Sequence, residues 1–177
     1  MKKNFLTLAK ILSYFDLQWE IVWKNPKKWG MMFIGSFTYS IDSKGRVSIP
    51  AKLRKYVKPE ANDTFVMTRG VEKCIVVYPL DQWKELMDTK LANLNEFNKK
   101  EAMFIRAFLQ RASEDTLDSQ SRLLIPQNLI EYAGIEKEVF ILGAIKKIEI
   151  WNPVIYDNYL NSQPESFEEI AEEVMKL

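Results

Sequence analysis

The chain has 177 residues, 47% apolar and 12% aromatic, with a formal net charge of +1, one cysteine and no histidine. The absence of histidine removes the commonest general base and the commonest metal ligand, and a single cysteine cannot form a disulfide within the chain. An apolar content of this size builds a core without metal or disulfide; no Gly-rich phosphate loop or nucleophile motif marks an enzyme, and no cofactor is expected.

Residues 1–31 hold Trp19, Trp23 and Trp29 and more basic than acidic side chains. Residues 5–23 have helical patterning, with apolar residues around much of the circumference. Lys10, Asp16 and Glu20 interrupt it within the roughly 20 apolar residues that a bilayer span needs. Lys10 also breaks the apolar region of a signal peptide, and no small-residue cleavage site follows.

Residues 35–42 mix aromatic and β-branched side chains with polar ones, residues 43–45 supply turn chemistry, and residues 46–49 alternate again, which reads as a hairpin. Pro50 opens a short helix with Leu53, Tyr56 and Val57 on one face. Residues 64–68 and 74–78 read as a second strand pair turning at Arg69-Gly70 and Glu72-Lys73, with Cys74 as a reduced core thiol. Helical stripes follow at Leu80, Trp83, Leu86 and Met87, and then at Phe97, Met103, Phe104, Ala107, Phe108 and Arg111. Neither proline nor glycine occurs across residues 81–113, so this connector is helical, and residues 32–163 are read as one body.

The first hairpin then recurs. Ile41-Asp42-Ser43-Lys44-Gly45-Arg46-Val47-Ser48-Ile49-Pro50 returns as Leu117-Asp118-Ser119-Gln120-Ser121-Arg122-Leu123-Leu124-Ile125-Pro126. Leu53 and Tyr56 match Leu129 and Tyr132; after a short gap Gly70, Lys73, Ile75 and Tyr78 match Gly143, Lys146, Ile148 and Trp151. Two copies of one ββαββ unit follow, the second through residues 114–118, 122–125, 126–133, 139–143 and 148–151. One such unit is too small to bury its apolar face, so the copies pack together. The fold class is α+β with a mainly β core. The expected divisions are an extension over 1–31, repeats over 35–83 and 112–155, a helical connector over 84–111, and a C-terminal helix with an acidic tail over 156–177. Five glutamates and one lysine in residues 164–177 predict a short acidic helix through Phe167, Ile170 and Val174, weakly packed or fraying.

Charge separates the two copies. Residues 32–58 carry Lys44, Arg46, Lys52, Arg54, Lys55 and Lys58 against Asp42 alone, whereas residues 114–133 carry Arg122 against Glu114, Asp115, Asp118 and Glu131. A local basic patch on a near-neutral protein is the footprint of phosphate binding, where released counterions drive association; a solvated charged face is the bland alternative. Gly45 lets the turn approach a backbone closely. Lys44 offers a mobile charge, and Arg46 a planar fork suited to phosphate or to the O6/N7 edge of guanine.

The duplicated Asp-x-x-x-Arg turn, the Gly-Arg-Val-Ser-Ile-Pro stretch, the Val-Tyr-Pro-Leu-x-x-Trp segment at residues 77–83 and the Arg-Leu-Leu-Ile-Pro stretch resemble the bacterial MraZ family of tandem AbrB-like proteins. The likeness covers about residues 32–163. It implies two swapped-hairpin repeats interlocked as a pseudo-dimer, and protomers assembled as a homo-oligomeric ring. It also implies a cytoplasmic, nucleoid-associated regulator that binds tandem boxes in double-stranded DNA of its own promoter, represses its operon of division and cell-wall genes, and uses no membrane. On this basis Arg46, Lys44, Gly45, Lys52, Arg54 and Arg122 are the candidate DNA-binding residues. Asp42 and Asp118 orient the loops, because a carboxylate close to phosphate is repelled. Gln120 and Ser121 replace Lys-Gly in the second loop, so copy two is expected to serve mainly as scaffold or assembly surface. Family members usually begin near Met32, so residues 1–31 are read as the product of a wrongly assigned upstream start codon, with an interfacial anchor as the rival. A structural ring or an antitoxin-like interaction module remains the alternative function.

Overall fold

The computed structural model describes residues 32–175; the helix expected over residues 5–23 lies outside them. Repeat one forms β1 (Phe33–Ser40), β2 (Arg46–Ser48), α1 (Ala51–Arg54), β3 (Thr64–Arg69) and β4 (Ile75–Pro79). The connector forms α2 (Leu80–Leu86), a π-turn over Met87–Leu91, and α3 (Lys99–Leu109). Repeat two follows as β5 (Ser113–Thr116), β6 (Arg122–Leu124), α4 (Gln127–Ala133), β7 (Glu138–Ile145) and β8 (Lys147–Trp151), with α5 (Pro153–Asn161) and α6 (Phe167–Met175) after it.

The expected hairpin is corrected in one respect. The turn forms, with Asp42 N donating to the Arg46 carbonyl at 3.0 Å, but its two strands do not pair with each other. β1 pairs antiparallel with β7, and β5 with β3, in a six-stranded sheet ordered β1-β7-β8-β4-β3-β5; β2 and β6 pair in a separate two-stranded ribbon. An isolated two-stranded hairpin leaves an apolar face in water and is marginal by itself. Crossing to the other repeat instead buries Val47 and Leu123 completely. The exchange is reciprocal in register: Phe37 faces Ile141 and Ser113 faces Met67, while Ile75 faces Ile150 and Val77 faces Ile148 across the central β4–β8 pair.

The core takes matched residues from both copies: Val47 and Leu123, Ile49 and Ile125, Leu53 and Leu129, Ile75 and Ile148, Val77 and Ile150. Each such side chain contributes about 1.5–3 kcal/mol through burial. Cys74 is buried as well, and burial, more than the nearby Glu149 charge, pushes its thiol up to about 12. The Tyr-Pro-Leu-x-x-Trp segment also gains a structural reason. Pro79 precedes α2, which turns Trp83 back to 5.9 Å from Tyr78. Repeat two exchanges the two ring types, with Trp151 at 5.3 Å from Tyr156.

The second connector helix is shorter than its apolar stripe implies. Phe97 precedes it and is 92% exposed, while Asn98 caps it by accepting from the backbone N–H groups of Lys100 and Glu101. Phe108 stacks on Trp83 and its carbonyl accepts from buried Thr68, but Met103 and Phe104 face solvent. The described residues up to Asn158 form one compact unit, and residues 159–175 belong to another. In the latter, α6 is formed with a capping box: Glu169 N–H donates to Ser166 Oγ at 3.3 Å, and the Glu169 carboxylate accepts from Ser166 N–H at 2.8 Å. The Ser166 backbone N–H, and after it the Ser166 hydroxyl donating at 3.0 Å, hold the Glu169 carboxyl below its usual range.

Gly143 faces Gly35 across the exchanged pair, and a Cβ on it would lie 2.6 Å from Ile34 N and from Phe33 C. Both of those atoms are backbone, so the strand itself must shift. Gly143→Ala is expected to lower stability by about 1–3 kcal/mol, as overpacking does. Urea unfolding measures the loss, and hydrogen exchange should localise it to β1.

Candidate nucleic-acid interface

Each turn is organised by its aspartate. The Asp42 carboxylate accepts from Lys44 N–H at 2.9 Å and Arg46 N–H at 3.0 Å. It also takes Arg46 Nε and Nη2, both at 2.7 Å. Asp118 repeats the set with Gln120 N–H at 2.9 Å, Arg122 N–H at 3.0 Å, and Arg122 Nε and Nη2 at 2.8 and 2.7 Å. A carboxylate that accepts both backbone N–H groups and a guanidinium fork is strongly stabilised as the anion. The Arg46 side-chain hydrogen bond, followed by the backbone N–H groups of Arg46 and Lys44, holds the Asp42 carboxyl down at about 2. Asp118 is lowered too, chiefly by the Arg122 side-chain bond.

The loops are also fastened to each other. Gly45 has φ +79, and its carbonyl accepts from Ile125 N–H at 2.9 Å; in return the Ser121 carbonyl accepts from Ile49 N–H at 3.0 Å. A Cβ at residue 45 would stand 3.1 Å from the Ile125 carbonyl oxygen. The close approach read from Gly45 is therefore an approach to the other repeat. Ser121 occupies the same left-handed region at φ 61 without a glycine.

In the ribbon Arg46 faces Leu124, Val47 faces Leu123, and Ser48 faces Arg122. Side chains alternate along a strand, so the buried Val47 and Leu123 put Arg46, Ser48, Arg122 and Leu124 on the outer face. One arginine from each repeat thus shares one surface. Arg122 Nη1 lies 3.8 Å from Asp42 Oδ2, which places Arg122 between two carboxylates while Arg46 has one. Arg122 of copy two therefore lies on the same outer face as Arg46 of copy one.

The other candidates divide. Lys44 and Lys52 are exposed and make no ion pair among the described residues. Arg54 turns its Nε onto the Ile49 carbonyl at 3.1 Å and braces α1 against β2. Lys58 lies 3.6 Å from Asp81, and Lys55 lies 4.7 Å over the Tyr56 ring. Sequence reasoning passed over Ser48, Leu124 and Asp115. Strand alternation gives the first two directly. Asp115, whose carboxylate accepts from Leu124 N–H at 2.8 Å, leaves no sequence signal.

These features define a tandem-repeat protein whose halves exchange strands and present a two-stranded ribbon with a carboxylate-braced arginine from each half. The family model described as "MraZ protein, putative antitoxin-like" matches residues 32–107 and again 108–177. A relative from Natranaerobius thermophilus, named transcriptional regulator MraZ, is 44% identical over 81% of this chain and 97% of its own. Relatives of the same name from Halothermothrix orenii and Thermoanaerobacter pseudethanolicus are 44% and 43% identical over 79% and 82% of this chain, and 94% and 99% of theirs. The chain belongs to the MraZ family.

The depressed Asp42 carboxyl makes the loops acid-sensitive. Its ordinary value is 3.8 and the folded value about 2, so its contribution to stability is full above roughly pH 4 and is lost as the pH falls through 2. Asp42→Asn is expected to flatten the fall in stability between those values, as urea unfolding at successive pH would register. An Asp42 carboxyl titrating near 3.8 by NMR would contradict the bracing.

Proposed function

We propose that this chain is a transcriptional regulator that binds double-stranded DNA through the Arg46–Arg122 ribbon face. The observation that carries this reading is the shared outer surface holding one arginine from each repeat, with exposed Lys44 and Lys52 on the basic side. A two-stranded ribbon fits the major groove, where an arginine fork can engage guanine or grip phosphate. The relatives' name, transcriptional regulator, supports the same class. Asp42 and Asp118 act as orienting groups: each holds its own guanidinium by the Nε–Nη2 edge, which leaves Nη1 of Arg46 to the ligand, whereas Nη1 of Arg122 faces Asp42.

The finer reading is a cytoplasmic, nucleoid-associated repressor of its own operon, acting as a homo-oligomeric ring on tandem promoter boxes. One ribbon offers few phosphate contacts, so several linked copies gain by effective concentration. Among the described residues no helix is long and apolar enough to cross a membrane. The "antitoxin-like" wording of the family model favours a second reading as a partner-binding module. A footprint on the DNA upstream of the gene separates the two, because a module that only binds a protein protects no promoter sequence.

Arg46→Ala should weaken binding by about 1–3 kcal/mol per engaged ribbon, while its fall in thermal midpoint should be no larger than that of Asp42→Ala, which removes the same bond. Arg122→Ala should cost less, since that guanidinium is shared between two carboxylates. Titration of the promoter fragment with each variant gives the comparison; equal losses would remove the asymmetry. For the array, inserting about half a helical turn between boxes should cost more affinity than inserting a full turn of about 10 bp. Affinity should also fall linearly on a log–log plot against salt, with a slope reporting the phosphates neutralised. A single box that binds as tightly as the array would overturn the tandem-box mechanism.

A further inference from the structure

Two open apolar surfaces on this chain carry opposite charge. The first is a groove of about 330 Å³ between α3 and the β3–β4 turn, formed by Arg69, Val71, Met103, Phe104, Ala107 and Phe108. Val71, Met103 and Phe104 are 91%, 66% and 45% exposed, an apolar concentration that a soluble surface does not keep without use. Its rim is basic. Lys99 and Lys100 stand one helical turn before Met103 and Phe104, and Arg106 three residues after Met103, all exposed. Lys73 adds a further cation. The neighbouring acids include Glu72 in the turn and Glu101, which already accepts from Asn95 N–H at 2.6 Å. Arg69 is fixed over the Tyr132 ring at 4.7 Å and keeps its charge beside the groove.

The second surface is on α6. Phe167, Ile170 and Val174 fall on one helical face and are 79%, 37% and 73% exposed. Glu168, Glu169, Glu172 and Glu173 flank that stripe, and the Ser166–Glu169 capping box fixes the helix start. A helix already formed loses less conformational freedom when it docks.

We propose that α6 of a second copy seats its Phe167–Ile170–Val174 stripe in this groove, its glutamates facing the Lys99, Lys100 and Arg106 rim. The inference rests on the oligomeric reading above and names its contact. An amphipathic helix in an apolar groove is a recurrent mode of recognition, and this chain carries both the acidic helix and the basic-rimmed groove. Each copy gives one helix and receives one; with giver and receiver on different neighbours the contact is heterologous, and successive contacts close into a ring or continue as a filament.

The test is sedimentation velocity on the full chain, on Met103→Asp, and on the double variant Phe167→Asp with Val174→Asp, with thermal midpoints checked to match. The full chain should sediment as a multi-copy assembly. Each variant should sediment as a single chain, its assembly weakened on the order of 30-fold or more, as for loss of an interface hot spot. Mixing the two variants leaves one intact helix and one intact groove per pair, so a two-chain complex and nothing larger should return. A full chain that stays single at every concentration would remove the oligomeric reading together with this one. Assembly that persists in either variant would overturn the helix–groove contact while leaving oligomerisation standing. A mixture that stays as single chains would overturn the contact as well.

Discussion

The first strand of each repeat finds its backbone partners only in the other repeat, β1 on β7 and β5 on β3, and the remaining architecture depends on this exchange. It merges two small units into one six-stranded sheet and a single core. It also brings β2 beside β6, without which Arg46 and Arg122 would lie on separate hairpins. At Gly143 the exchange leaves no room for a side chain, because the Phe33 and Ile34 backbone occupies the space one would need.

The candidate surface follows from that geometry by short-range electrostatics. Each aspartate satisfies two backbone N–H groups of its own turn and one guanidinium, so loop shape and arginine orientation are set by the same carboxylate. The bridge from Arg122 toward Asp42 makes the two turns electrostatically one object, although their sequences differ at Lys44-Gly45 and Gln120-Ser121.

Much of this was legible in the sequence, for identifiable reasons. The repeated Asp-x-x-x-Arg turn carries its own hydrogen-bonding logic, and Pro50, Pro126 and the Tyr-Pro-Leu-x-x-Trp segment mark where strands give way to helices. Strand partners were not legible from the residues themselves, because period-two alternation states which face is buried but not which strand lies alongside. The resemblance supplied the interlock that alternation could not. The stripe through Met103 and Phe104 misled for a similar reason: helical spacing identifies an apolar face without saying whether the same chain covers it. Asp115, bound to the backbone of Leu124, has no pattern that would single it out.

Covalent fusion of the two repeats has a further consequence. A dimer of identical hairpins is bound by its twofold axis to carry the same loop at both ends of its ribbon, and such a ribbon has no direction. Here one end carries Lys44 and Gly45 and the other Gln120 and Ser121, around a backbone that keeps the twofold pairing. The ribbon is therefore a polar object built on a symmetric frame. Used to read a duplex, it would have one favoured orientation along the groove, and an array of such readers facing the same way would match sites repeated in one direction rather than inverted ones.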